Sequence, residues 1–143
     1  MKYAFFVAGF LFLFMSCNNS KKIASGSNSY KLQGAWQLNY ITGPRIAFEG
    51  LYPNEKPTIT FNIAGKRVSG NTGCNSFSGT FDADGIKISF SEPLAITKIA
   101  CPGEGESVFL QTLKKINTYD ATEGYTLSLL TDGVASMRFT KVK

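Results

Sequence analysis

From Tyr30 onward the apolar residues are broken at close intervals by Gly, Asp and Asn, and between these breaks apolar and polar side chains alternate. That pattern excludes long helices and calls for short antiparallel strands joined by tight turns. Ile59, Phe61 and Ile63 alternating with Thr58, Thr60 and Asn62 is the cleanest instance. Trp36, Leu38 and Tyr40 mark one face of an earlier strand. Ala64 and Gly65 turn the chain into 67–70. The segment 77–81 runs up to Asp82, Ala83, Asp84 and Gly85, and Ile86, Ile88 and Phe90 alternate on its far side, as a hairpin requires. A strand is expected over 94–99, and a last pair, 125–130 and 134–139, flanks Thr131, Asp132 and Gly133.

One segment departs from period two. Val108, Phe109, Leu110, Leu113 and Ile116 recur every three to four residues, with Tyr119 extending the stripe, which predicts a helix packed on the sheet. Pro102 and Gly103 fix its start. Glu104 and Glu106 near the N-terminus and Lys114 and Lys115 near the C-terminus complement its dipole. Across the chain, twelve Phe and six Tyr against one Trp tilt the composition toward residues that favour strands.

Ahead of the domain, Lys2 precedes an apolar run from Tyr3 to Met15, then Ser16, Cys17 and the polar stretch Asn18 to Lys22. This is the layout of a signal peptide. As a helix the run would span about 20 Å against the roughly 30 Å of a bilayer core, too short for a permanent anchor. Phe14, Met15, Ser16 and Cys17 resemble a bacterial lipobox, with Phe14 in place of the usual Leu. The resemblance implies diacylglycerol on the Cys17 thiol; ordinary secretory cleavage nearby and a buried free cysteine are the alternatives. The organisation expected is a signal peptide over 1–16, lipidated Cys17 and a flexible tether over 17–29, and one domain over 30–143. The membrane is then a partner through the lipid on Cys17.

Lys and Arg exceed Asp and Glu by 15 to 10, and there is no His. The excess is scattered, with Lys21–Lys22 and Lys114–Lys115 the longest basic runs, so nucleic acid is not expected as a partner. Without His the commonest general base and metal ligand is missing. The acids Glu49, Glu55, Asp82, Asp84, Glu92, Glu104, Glu106, Asp120, Glu123 and Asp132 fall in turns or at helix ends. Asp82 and Asp84 before Gly85 suit a hairpin better than a calcium loop, which needs further spaced ligands. The reading is of a chain with no catalytic residues, no cofactor and no metal.

Beyond Cys17 the domain holds Cys74 and Cys101, an even number that in an oxidising compartment favours a disulfide, with two buried free thiols as the alternative. A redox site would want C-x-x-C spacing, and a metal site two more ligands. Gly70, Asn71, Thr72, Gly73, Cys74 and Asn75 form the most distinctive local stretch. Two glycines and two asparagines permit positive φ in a tight loop. A phosphate-binding loop would lead into a helix, whereas a β segment follows.

These residues match a family. Trp36 and Leu38, the run Arg67 to Gly70, the run Gly73 to Gly79, then Thr97, Ala100, Cys101 and Pro102 resemble the META domain, also called HslJ-like. Phe109, Leu110 and Leu113, and then Tyr125, Leu127 and Leu129, continue it. Ile99 stands where the family often has Met. The resemblance implies a mostly β (α+β) fold, a curved antiparallel sheet or partial β-barrel closed by one α-helix. It also implies an envelope lipoprotein, with links to heat shock and antibiotic tolerance and no established enzymatic activity. A lipid at Cys17 with no acidic residue beside it fits an outer-membrane location facing the periplasm. The expected function is a non-catalytic module that binds an unknown envelope protein or small ligand. The alternative is a small-molecule or lipid carrier using the barrel interior.

Overall fold

Antiparallel ladders connect nearly the whole domain. The computed structural model describes residues 28–121 and 124–143. The leader, Cys17 and the tether up to residue 27 lie outside the described residues, as does Glu123. The strands are β1 (Gly34–Ile41), β2 (Thr58–Asn62), β3 (Arg67–Asn71), β4 (Ser76–Asp84), β5 (Lys87–Phe90), β6 (Ala95–Ile96), β7 (Thr118–Asp120), β8 (Thr126–Thr131) and β9 (Val134–Lys141). Among the described residues two helices, α1 (Phe48–Leu51) and α2 (Gly105–Leu113), and a 3₁₀ turn at Asn28–Leu32 accompany the strands.

The strands pair in the order β1-β2-β3-β4-β5-β7-β8-β9, and β9 returns to β1, giving a closed eight-stranded barrel with β6 added beside β4. Closure removes the exposed edges that a partial barrel would leave. Most neighbours in the ring are neighbours in the chain, because two-residue turns suffice between antiparallel strands. At the β8–β9 turn, Asp132 and Gly133 both have positive φ, 50° and 82°. The lightest joint is β5–β7, where Lys87 opposite Thr118 is the only register pair. Hydrogen bonds from Ile88 N–H to Asn117 O (3.1 Å) and from Tyr119 N–H to Ile86 O (2.9 Å) extend it.

Alternating side chains fill the interior. Trp36, Leu38, Ile59, Phe61, Val68, Leu127, Leu129, Met137 and Phe139 are all essentially inaccessible to solvent. Phe61 meets Phe81 edge-on, with ring centroids 5.0 Å apart. One end of the barrel is stoppered by the 3₁₀ turn, whose buried Leu32 accepts a 2.7 Å hydrogen bond from the Trp36 indole. The opposite end is stoppered by α2 through Phe109 and Leu113, the Phe109 ring packing at a tilt with its centroid 5.6 Å from that of Phe77. The chain enters and leaves at the first, near end, where Val142 N–H bonds Ala35 O at 2.9 Å. The long connections β1–β2 and β5–β7 gather at the other, far end, together with the short β3–β4 loop.

The structure corrects four expectations. Tyr40 does not continue the buried face of β1: a bulge between Leu38 and Tyr40 turns it outward, and Ile41 takes the inner position. Ile86 occupies the turn before β5 and is 64% exposed. The strand expected over 94–99 is only Ala95–Ile96: Thr97 N–H still bonds Ser76 O of β4, but the Thr97 hydroxyl and the Ile99 N–H turn to the Asn75 side chain and the ladder ends. Tyr119 is buried in β7 and does not extend the stripe of α2, which ends at Leu113.

Candidate functional site

The loop 72–75 between β3 and β4 is organised by its own side chains. Asn71 Oδ1 accepts the Gly73 N–H at 2.6 Å, and Thr72 Oγ1 accepts the Asn75 N–H at 3.0 Å. Such side-chain turns are what Asn and Thr supply at strand ends. Gly73 has φ +94°, and a Cβ there would lie 2.7 Å from Tyr52 Cδ1. Gly105, at the start of α2, faces the same ring: a Cβ would lie 2.8 Å from Tyr52 Cε1 and 2.6 Å from Leu51 O. Tyr52 therefore lies between two glycines, its hydroxyl donating to Gly105 O at 3.0 Å. Burial raises the phenol's pKa well above its ordinary value.

Asn75 is almost wholly buried and binds the segment after β6. Its Oδ1 accepts the Ile99 N–H at 2.8 Å and the Thr97 hydroxyl at 2.8 Å. Its Nδ2 donates to Ile99 O and to Cys101 Sγ, both at 3.0 Å. Thr97 adds a bond in each direction to Ser76, both 3.0 Å. The two family-like stretches are thus joined by polar contacts, and the Cys74–Cys101 disulfide, with Cα atoms 5.9 Å apart, spans the same junction.

Glu106 enters this cluster from the first turn of α2. Its Oε2 accepts the Thr72 hydroxyl at 2.7 Å and lies 3.6 Å from Cys101 Sγ. In the first turn of α2 the carboxylate faces the positive end of the helix dipole and at the same time holds the loop, whereas Glu104, at the cap position, makes no side-chain capping bond. A cleft of about 200 Å³ opens over the bridge, lined by Tyr52, Glu55, Gly73, Cys74, Cys101 and Glu106 among others. Two further clefts flank α2. One, about 250 Å³, is walled by Phe90, Pro93, Leu94, Ile96, Leu110 and Leu113; the other, about 360 Å³, is more polar and includes Pro44, Val108 and Ser136.

Gly73, Cys74, Asn75 and Cys101, singled out in the sequence, therefore meet in space. Gly70 belongs elsewhere: its φ is not positive, and its need for glycine is close packing, because a Cβ would collide with Thr58 O and approach Phe77 Cε1 to 2.9 Å. Cys17 lies outside the described residues. Sequence reasoning did not find Glu106 and Tyr52 as members of the site. The position of Glu106 in the first turn of the helix that follows Cys101 was the available signal.

The model of the META domain family matches residues 30–143, which takes in the whole barrel, α2 and the 3₁₀ turn from Tyr30 onward. The chain belongs to the META domain family. Among solved structures, this META domain is similar to a protein from Burkholderia xenovorans determined by NMR, with TM-score 0.61 and 24% identity over 80% of this chain and 86% of that one. It is also similar to a DUF4847 family protein from Bacteroides vulgatus, with TM-score 0.52 and 17% identity over 78% of this chain and 94% of that one. At these identities the likeness concerns the fold. No curated protein matches the chain.

Proposed function

We propose that this META domain is a non-catalytic, lipid-anchored envelope module that binds a partner protein or peptide at the far end of its barrel. The observation behind this reading is the polarity of the fold. The chain enters at the near end, at Asn28, whereas the clefts flanking α2 open at the other end. Between Cys17 and Asn28 an extended chain reaches roughly 35–40 Å. A lipid on Cys17 holds the near end toward the membrane and directs the far end into the surrounding space. The apolar cleft there offers side-chain pockets, with the exposed Lys114–Glu92 ion pair (3.0 Å) at its margin. The stress association implied by the family resemblance belongs to the same proposal.

The carrier alternative is disfavoured by the packed interior. Trp36, Phe61, Phe109 and Phe139, fully buried, occupy the space a lipid or small molecule would need.

Two measurements test the proposal. Intact-mass spectrometry of the mature protein is expected to give an acylated chain beginning at Cys17; a full-length, lipid-free chain in the cytosol refutes the anchor. A photo-cross-linking side chain at position 111, beside both α2 clefts, should form an envelope adduct that Leu94→Glu abolishes, while the same group at position 86 forms none. Equal labelling at both positions, or no adduct at 111, refutes the binding end.

A further inference from the structure

We propose that Cys74, Cys101 and Glu106 form a redox-gated site for a thiophilic divalent cation, zinc by preference, closed by the disulfide when oxidised and open to the metal when reduced. The proposal is independent of the function argued above.

The bridge is not what holds its two sulfurs together. Asn75 binds both backbone groups of Ile99, and Ser76 and Thr97 exchange two further bonds. The pairing of Phe77 with Ile96 adds a ladder. Reduction by a dithiol leaves these contacts in place. It transfers two electrons and two protons to the bridge, giving two thiols here and a disulfide in the reductant. Cys74 and Cys101 then remain neighbours, with Cα atoms held near their present 5.9 Å.

The third ligand is already in position. A tetrahedral zinc with Zn–S near 2.3 Å and Zn–O near 2.1 Å sets a sulfur-to-oxygen edge of about 3.6 Å. Glu106 Oε2 lies 3.6 Å from Cys101 Sγ. The two sulfurs and the carboxylate oxygen all fall within 4.8 Å of one another, so side-chain rotation of Cys74 completes the triangle. Outer contacts orient two of the ligands: Asn75 Nδ2 donates to Cys101 Sγ at 3.0 Å, and the Thr72 hydroxyl to Glu106 at 2.7 Å. The cleft over the bridge leaves the fourth position for water.

Two thiolates and a carboxylate suit zinc, whose binding releases the two thiol protons. Reoxidation is the reverse exchange: a disulfide oxidant takes the two electrons and, with two protons from solvent, leaves as its dithiol, while the S–S bond re-forms and the ion is expelled.

The test uses the full chain carrying Cys17→Ser in detergent, so that Cys74 and Cys101 are the only thiols. The chain is reduced with a phosphine and titrated with Co²⁺ alone. The expected result is one Co²⁺ per chain, with sulfur-to-cobalt charge-transfer absorption and four-coordinate ligand-field bands, all displaced by Zn²⁺ and absent from the oxidised chain. Glu106→Gln should weaken binding by about tenfold or more and shift the ligand-field bands while the circular dichroism stays native. A reduced, natively folded chain that takes up no Co²⁺ overturns the site, as does loss of the native fold on reduction. Unchanged affinity and bands in Glu106→Gln overturn the role of Glu106.

Discussion

The side-chain amide of Asn75 pairs with the backbone N–H and C=O of Ile99 as a neighbouring strand would, at 2.8 and 3.0 Å, from a fully buried position. Asn75→Ala removes both partners at once and leaves Ile99 unpaired. The expected cost is about 3 kcal/mol, a fall in melting temperature of roughly 10–20 °C by calorimetry. A fall of only a degree or two means that the far-end loops hold without this clamp.

Glycine substitutions should separate close packing from turn chemistry. Gly70→Ala forces a methyl against the Thr58 backbone and is expected to lose several kcal/mol, appearing as an unfolded or insoluble chain. Gly65→Ala meets only ordinary contacts, the nearest at 3.6 Å, and should stay within about 0.5 kcal/mol of the parent in urea unfolding.

The Tyr119 hydroxyl is buried and has no hydrogen-bond partner among the described residues. Phenylalanine fits the same space without the unsatisfied group, so Tyr119→Phe should raise stability by about 1 kcal/mol. A destabilised variant would show that the hydroxyl is satisfied in solution.

Replacing both Cys74 and Cys101 with Ala frees the unfolded chain from a cross-link spanning 27 positions. The expected loss is roughly 3–4 kcal/mol in chemical denaturation. Far-UV circular dichroism at 25 °C should keep its β-sheet signature, because the Asn75 contacts remain.

Burial raises the pKa of Tyr52 in the fold above its ordinary value of 10.0. The sign follows from linkage: the unfolded phenol ionises first, so the contribution is complete below pH 10 and declines as pH rises toward the folded value. Tyr52→Phe should lose about 1 kcal/mol at neutral pH, from its bond to Gly105, and show a shallower alkaline decline. Parallel alkaline slopes for the two proteins would assign the decline to other groups.

What the chain disclosed in advance was whatever depends on one local neighbour. Ile59 and Phe61 alternate because β2 has one wet and one dry face, and the stripe of α2 was legible from Phe109 and Leu113 for the same reason. Tyr40 was misplaced because its bulge arises where β1 meets β9, a relation no local spacing records. Tyr119 keeps a helical interval from Ile116 by coincidence, while its burial is decided by β8. Glu106 invited a dipole reading because its partner Thr72 is remote in the chain, and Gly70 read as a turn residue because the crowding carbonyl belongs to β2.

The last strand, β9, is the one that joins β8 to β1. A chain that emerges N-terminus first, from a ribosome or across a membrane, carries both open rims of its sheet until β9 appears. Completion of the ring therefore waits on the arrival of that one strand, and a product truncated before β9 is left with two exposed strand borders ready to pair with a second molecule.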